Sequence, residues 1–282
     1  MRVCYLLGYP VGHSMSGVMH NAAFRELGLD YRYELKSVPP DELGALVATE
    51  LRRTDFAGGS VTIPHKIAII EHLDGVDPSA LRIGAVNTIV NEDGRLKGYN
   101  TDGTGALMGL TEAYGRVEEA RVVMVGAGGA ARAIGYHLST AVRELTIANR
   151  TLERAEELAT SLSANPECRA TVRSIPLERE TLRAAIEEAD TLVNGTPLGM
   201  HPRTNDTPVQ KEMLHPGLLV FDMVYNPIKT RLLREAEEAG AATLPGVNML
   251  VYQGATAFKM WTGEDPPVET MKAAVVGALR GS

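Results

Sequence analysis

The sequence predicts an α/β fold divided into two domains, and three observations carry that prediction. Short apolar runs rich in β-branched residues alternate with helical patterns along the whole chain, the signature of sheets flanked by helices. A glycine turn, Gly126-Ala-Gly128-Gly129-Ala130-Ala131, stands between one such run and the helical pattern that follows it. The chain has 282 residues and is 44% hydrophobic, enough for two ordinary cores.

Composition excludes several classes. A net charge of −7 argues against a general nucleic-acid binder. The two cysteines, Cys4 and Cys168, are far apart and lack CxxC spacing, so neither a disulfide framework nor a zinc cluster is expected. The seven histidines show no HExxH-like spacing, and no metal is expected. No apolar run reaches membrane-spanning length and no basic-then-apolar leader begins the chain, so a cytoplasmic protein is expected.

In chain order, residues 3–8 read as a buried strand, followed by a loop carrying Ser14 and Ser16 and a helix over 17–27. Two hydroxyls two residues apart share a side of an extended loop and suit a carboxylate ligand. Taken alone, the pair reads more simply as Ser16 capping the helix and Ser14 making a local turn bond. A second strand spans 31–38, and Asp41 is expected to cap a helix running to Arg53. A third strand, 56–62, ends at Thr62 and runs into Ile63-Pro64-His65-Lys66 and a short helix. This alternation predicts a parallel sheet, with Thr62 and Lys66 at the C-terminal end of a strand, where open α/β sheets bind ligands. Taken alone, Lys66 is a solvated helix-start residue. Residues 84–90 read as a strand with Asn87 inside an apolar run, and a buried amide needs partners. Asp93-Gly94 marks a hairpin turn and 96–99 the return strand. Thr101 or Asp102 then starts a helix to about Tyr114, which places the domain boundary near Asp102.

The second domain opens with strand 122–125 and the glycine turn. Strand, glycine turn and helix give a G-x-G-x-x-(G/A) match its meaning as a Rossmann-type fingerprint. Gly126 permits the turn, Gly128 lets backbone approach a pyrophosphate, and Ala131 lets helix and strand pack closely. The helix N-terminus supplies free N–H groups and partial positive charge. Strand 144–149 then ends at Asn149, where an NAD-binding fold carries Asp or Glu roughly 20 residues beyond the glycines. Arg150 follows, and Arg154 lies one helical turn on. Guanidinium groups bind a 2′-phosphate that a carboxylate would repel, so NADP is the expected cofactor. The alternative is that both arginines pair with Glu153 or Glu157. Further alternation runs through helix 151–163, strand 170–175, helix 177–189 and strand 191–194. The loop Gly195-Thr196-Pro-Leu-Gly-Met200 is placed to lie near a nicotinamide. Strand 218–223, helix 230–239 and two helices over 246–262 and 268–279 complete the chain. Gln253 sits among apolar neighbours, either as a satisfied core amide or as a ligand contact.

Together these motifs resemble the shikimate dehydrogenase family over essentially the whole chain. The resemblance rests on Gly8-Tyr-Pro-Val-Gly-His-Ser-Met-Ser16 with His20-Asn21, Ser60-Val-Thr-Ile-Pro-His-Lys66, Gly84-Ala-Val-Asn-Thr88 and Gly98-Tyr-Asn-Thr-Asp102. It continues in Gly126-Ala-Gly-Gly-Ala-Ala-Arg132, Asn149-Arg-Thr151, Asn194-Gly-Thr-Pro-Leu-Gly-Met200, Asp222-Met-Val-Tyr-Asn-Pro227 and the helix of Gln253. It implies an N-terminal α/β substrate domain (1–101, completed by 247–282), a Rossmann-type NADP domain (102–246) and a cleft between them. It implies that Ser14 and Ser16 hold the substrate carboxylate, and that Thr62, Asn87, Gln253 and Tyr225 meet carboxylate or ring hydroxyls. Lys66 and Asp102 become the catalytic pair. Cofactor contacts fall on Gly126, Gly128, Gly129, Ala130, Ala131, Asn149, Arg150, Thr151, Arg154, Thr196, Met223 and Gly246. The implied activity is reversible, NADPH-dependent reduction of 3-dehydroshikimate to shikimate in aromatic amino-acid (chorismate) biosynthesis. The implied partner is a small molecule, with no nucleic acid and no membrane; a homodimer is compatible with the sequence, which does not fix oligomeric state.

Two positions depart from the family pattern. Ser60 stands where Asn is usual, and a hydroxyl cannot present two amide donors, so one ring contact is lost or water-bridged. Gly17 stands where Pro is usual, which loosens the helix start. Ser60 keeps open a broader shikimate/quinate dehydrogenase. A non-catalytic ligand-binding relative would be free to lose Lys66 or Asp102, and both are present.

Overall fold

The computed structural model describes residues 1–281. The chain divides into two compact units: Met1–Asp102 with the chain from Val251 on, and Gly103–Leu250. Each is described by itself.

The first unit contains strands β1 (Arg2–Gly8), β2 (Tyr31–Ser37), β3 (Phe56–Val61), β4 (Gly75–Val76), β5 (Thr88–Glu92) and β6 (Arg95–Tyr99). Its sheet runs β2-β1-β3-β5-β6-β4. The expected parallel pairing holds for β2, β1 and β3. It stops at β5, which runs antiparallel to both β3 and β6. The β5–β6 pair is the expected hairpin: Asp93 and Gly94 both have positive φ (53° and 87°), the conformation of its two-residue turn.

Helix α1 (Ser16–Glu26) packs on β2, and the C-terminal helix α10 (Val268–Gly281) packs against α1. The segment read as one Asp41-capped helix forms differently. A 3-10 turn at Pro40–Glu42 leads into the short α2 (Leu43–Leu46) and a π-turn at Val47–Leu51. Asp41 makes no cap bond because Pro39-Pro40 starts the turn and places Asp41 inside it. Likewise the short helix after Lys66 is a 3-10 turn, Ala68–His72. The strand expected over 84–90 begins only at Thr88. Gly84 instead ends helix α3 (Pro78–Ile83) in the left-handed conformation, φ 74°. Asp77 caps that helix through the Ser79 N–H at 2.9 Å.

The core on one face gathers Leu7, Val47, Leu51, Phe56, Ile69, Ile89 and Leu96, all buried. On the other face an aromatic cluster joins His20 and Phe24 of α1, Tyr33 of β2, and Phe258 and Trp261 of the long helix near the C-terminus. Gly58 is required there. A Cβ on it would collide with Trp261 and with the Ile89 carbonyl, to which the indole N–H donates at 2.9 Å.

The second unit starts one residue into helix α4 (Asp102–Tyr114). Its sheet is all parallel in the order β12-β11-β10-β7-β8-β9. The elements in turn are β7 (Arg121–Val125), α5 (Gly129–Ala141), β8 (Glu144–Asn149), α6 (Leu152–Ser163), β9 (Thr171–Pro176), α7 (Arg179–Glu187), β10 (Thr191–Asn194), β11 (Leu219–Asp222), α8 (Arg231–Glu238) and β12 (Ala242–Pro245). The sheet reverses order at β7, beside β10, and β7 is the strand that carries the glycine turn. Such a switch point is where open α/β sheets bind ligands. Strand β12 has no counterpart in the sequence reading. Its four residues, Ala-Thr-Leu-Pro, are too few to alternate. Helix α9 (Gly246–Thr262) starts in this unit and ends in the other. No helix among the described residues is long and apolar enough to cross a membrane.

Candidate active site

In the first unit the C-terminal end of β3 delivers Thr62 and then a tight turn. His65 anchors the turn: its ring is buried, with Nε2 2.7 Å from the Val38 carbonyl. The Lys66 carbonyl accepts the Val86 N–H at 2.8 Å. These two ties fix the backbone of Lys66 next to Asn87. The Lys66 ammonium donates to Asp102 Oδ2 at 2.5 Å, with the two side chains 27% and 11% exposed. Asp102 opens α4, so its carboxylate sits at the positive end of a helix.

Asn87 holds the other carboxylate oxygen, Nδ2 to Oδ1 at 2.8 Å. The same amide nitrogen lies 3.1 Å from Thr101 Oγ1 and 3.5 Å from Gln253 Oε1. Its oxygen accepts from the Thr101 N–H (2.7 Å) and the Thr88 hydroxyl (2.9 Å). The amide orientation is thereby fixed from both ends. Lys66, Asp102, Asn87 and Gln253 form one network. Thr62 follows β3, four residues before Lys66, and its hydroxyl bonds to none of the described residues.

Ser14 and Ser16 come together by a different route from the one expected. The loop is not extended, because Met15 is helical (φ −81°, ψ −6°). Ser16 is therefore the first helical residue rather than a side-chain cap. Ser14 Oγ accepts the Ser16 N–H at 3.3 Å, and the two hydroxyls are 3.2 Å apart.

One residue near this pair escaped the sequence reading. The Tyr33 hydroxyl is buried, and its polar neighbours are the hydroxyls of Ser60 and Ser16. Neither completes a bond with it, and Ser60 Oγ is also without a partner. Burial pushes the phenol above its usual range. Unpaired buried hydroxyls are uncommon and call for a reason. The available signal was the alternation of β2, which turns residues 31, 33 and 35 to one side, but an aromatic there reads as core.

In the second unit the glycine turn separates packing from ligand demands. Gly126 has φ 113°, and a Cβ there would lie 3.0 Å from the Gly195 carbonyl oxygen, so backbone and packing both require glycine. Gly128 is extended (φ −80°, ψ −175°) and a Cβ there would meet nothing within 4 Å. Neither backbone nor neighbours demand glycine at this position, which leaves close approach of an outside group. Gly128, Gly129 and Ala130 are exposed at the start of α5, whereas Ala131 is buried against Gly195.

At the end of β8 the Asn149 amide donates to the Thr151 carbonyl at 2.8 Å and shapes the turn. Arg150 and Arg154 are exposed and form no ion pair among the described residues, so the alternative pairing with Glu153 or Glu157 is not what the structure has. Two unpaired guanidiniums, no carboxylate at the strand end and an open helix N-terminus fit a phosphorylated dinucleotide with a 2′-phosphate. Thr196, Met223 and Gly246 gather around Asn194. Its side-chain oxygen accepts the Thr196 N–H (2.9 Å) and hydroxyl (2.7 Å), and its carbonyl accepts the Met223 N–H (3.2 Å). Gly246 packs so closely on the Met223 carbonyl that a Cβ would not fit. Tyr225 follows β11 in this unit, partly buried, with its phenol raised by burial.

Comparison with known proteins decides the family. Residues 6–89 match the shikimate dehydrogenase substrate binding domain, 110–225 the shikimate / quinate 5-dehydrogenase family, and 246–276 the shikimate 5′-dehydrogenase C-terminal domain. The shikimate dehydrogenase (NADP(+)) of Geobacillus kaustophilus is 48% identical over 281 residues, covering 99% of both chains. This chain belongs to the shikimate dehydrogenase family. Solved shikimate dehydrogenase structures agree with it in fold. One in complex with NADP+ superposes with a TM-score of 0.90 at 42% identity, covering 99% of this chain and 96% of that one. The Thermus thermophilus enzyme in complex with NADP(H) and shikimate gives 0.88 at 39%, covering 99% and 100%. The two-domain α/β architecture with a Rossmann-like parallel sheet is thus a property of the family as well as of this chain.

Proposed function

We propose that this chain is an NADP-dependent shikimate dehydrogenase that interconverts 3-dehydroshikimate and shikimate in chorismate biosynthesis. The Lys66–Asp102 pair, held at 2.5 Å with its second carboxylate oxygen taken by Asn87, is the observation that carries the mechanism. The first unit binds substrate and the second binds cofactor. NADPH, when bound, supplies a hydride to the ketone carbon. The protein must then give the ketone oxygen a proton, or the product is an unstabilised alkoxide. Lys66 is the ammonium donor for that proton, Asp102 holds the ammonium in place by accepting from it, and solvent returns a proton to the lysine afterwards. In oxidation the same pair removes the hydroxyl proton.

The remaining polar groups are assigned by chemistry. Ser14, Ser16 and the Tyr33 hydroxyl supply donors of the kind a carboxylate accepts. Thr62, Asn87 and Gln253 supply hydroxyl and amide groups that suit ring hydroxyls, and Tyr225 supplies one further phenol. The exposed N-terminus of α5 takes the pyrophosphate, and Arg150 and Arg154 take the 2′-phosphate.

The test is the loss of nicotinamide absorbance with 3-dehydroshikimate, comparing NADPH with NADH. Rapid loss with NADPH is expected. If neither cofactor is consumed, shikimate and quinate are tried with the oxidised cofactors, and failure there too sinks the proposal. Quinate belongs in the series because Ser60 Oγ is an unused hydroxyl beside Tyr33.

A further inference from the structure

One buried acid in the second unit lies outside the proton chemistry. Asp222, the last residue of β11, is 0% exposed and pairs with no cation among the described residues. Its carboxylate accepts three bonds: from Asn194 Nδ2 at 2.9 Å, from the Val224 N–H at 3.1 Å and from the Thr230 hydroxyl at 2.5 Å. Burial raises it from the usual carboxylate range, opposed by those three donors.

Each donor belongs to a different segment. Asn194 ends β10 and through its side-chain oxygen holds the backbone and hydroxyl of Thr196. Its amide also reaches the Leu198 carbonyl at 3.3 Å. Val224 belongs to the turn after β11, whose Met223 N–H bonds the Asn194 carbonyl. Thr230 caps α8 by accepting the Leu233 N–H at 3.3 Å. One carboxylate therefore ties the loop 195–200, the turn 223–225 and the start of α8.

We infer that Asp222 is a positioning residue for hydride transfer, setting Thr196 and Met223 through Asn194 and the 223–225 backbone so that the nicotinamide ring is held at reaction distance. The inference rests on the proposed dehydrogenase reading, in which these loops lie at the C-terminal ends of β10 and β11. Three features support a positioning role over mere packing. An apolar residue would fill the space without the cost of burying an acid. The bonds converge on loops rather than on the sheet, whose backbone pairing is complete without them. Of the residues so held, Thr196 directly follows β10, one of the two strands at the switch point. A misplacement of the order of 1 Å at such a site costs about a hundredfold in rate.

The test uses the full-length enzyme with Asp222→Leu and Asn194→Asp. Asp222→Leu fills the space but accepts no bond, so the Asn194 amide and the Val224 N–H lose their shared partner. Asn194→Asp can still accept from Thr196 but has no N–H to donate to Asp222. Circular dichroism and thermal melting establish the folded fraction. Turnover is then measured with 4-deuterated and unlabelled NADPH over a temperature range, alongside shikimate binding followed by the fluorescence of Trp261, the single tryptophan. Expected for folded Asp222→Leu is a fall in kcat of about tenfold to a hundredfold, an isotope effect more dependent on temperature, and unchanged shikimate affinity; Asn194→Asp moves the same way. A purely structural role would lower the melting temperature and leave the isotope effect alone. Wild-type kcat and isotope effect in folded Asp222→Leu, or in folded Asn194→Asp should the first not fold, overturn the inference. Absence of turnover in the wild-type enzyme itself would instead defeat the dehydrogenase reading, so the two failures are distinguishable.

Discussion

Lys66 and Asp102 meet at 2.5 Å because two unrelated side-chain ties converge on them. His65 pins the turn before Lys66 to the end of β2, and Asn87 pins Asp102 at the mouth of α4. The pair is preorganised, so in the proposed mechanism little rearrangement precedes proton transfer. Lys66→Ala is expected to lower kcat by about 10²–10⁴-fold, with NADPH binding measured by fluorescence unchanged. Full turnover in that variant would remove Lys66 from the mechanism.

Arg150→Ala tests the cofactor assignment. A charge-assisted bond to a phosphate contributes about 1.5–3 kcal/mol, so the KM for NADPH should rise roughly tenfold to a hundredfold. The KM for NADH should stay put, since it has no 2′-phosphate. An equal rise for both cofactors would refute the role.

Tyr33→Phe separates binding from stability. The hydroxyl has no partner in the structure, so removing it should leave the melting temperature unchanged or slightly raised. If the phenol binds the substrate carboxylate, the KM for shikimate should rise about tenfold, corresponding to roughly 1.4 kcal/mol. An unchanged KM would return Tyr33 to the core.

His20 predicts the acid limb of the stability profile. It is fully buried with both ring nitrogens unpaired, stacked on Tyr33 at 4.6 Å, and burial lowers its pKa from 6.5 to about 3. The unfolded chain therefore binds a proton that the folded one refuses between those two values. The neutral ring's contribution is complete above pH 6.5 and is lost as pH falls toward 3, with a slope of up to about 1.4 kcal/mol per pH unit. His20→Phe should keep the stacking and flatten this part of the curve in urea titrations run across that window. A curve parallel to wild type would show that other groups govern the acid limb.

The parts legible in the sequence were those with a local cause. The glycine turn, the switch from an acid to Asn149-Arg150, and the Asp93-Gly94 hairpin follow from the few residues involved. Helix Pro78–Ile83 and the late start of β5 were misread, because Ala85 and Val86 are apolar and buried without being in a strand. Tyr33 was missed since nothing in the spacing of β2 tells a core ring from one whose hydroxyl meets Ser60. Asp222 was visible only as part of a motif, as its three donors come from positions 194, 224 and 230. Lys66 shows the opposite case. Its own residue type suggested solvent, the resemblance of the whole motif gave it a task, and its bond to a residue 36 positions later fits that task.

The indole of Trp261 closes on the Ile89 carbonyl across 172 positions of chain. During synthesis that contact has to wait. At roughly 5–20 residues per second, ribosomes need on the order of ten seconds or more to traverse the intervening stretch. Throughout that time the first sheet has its strands but not the helix that seals Phe24, His20 and Tyr33, while the inserted unit can already complete its own fold. The nascent chain thus matures from the middle outward. The half that was made first is the last to be finished, and chaperone dependence should concentrate on its bare aromatic face.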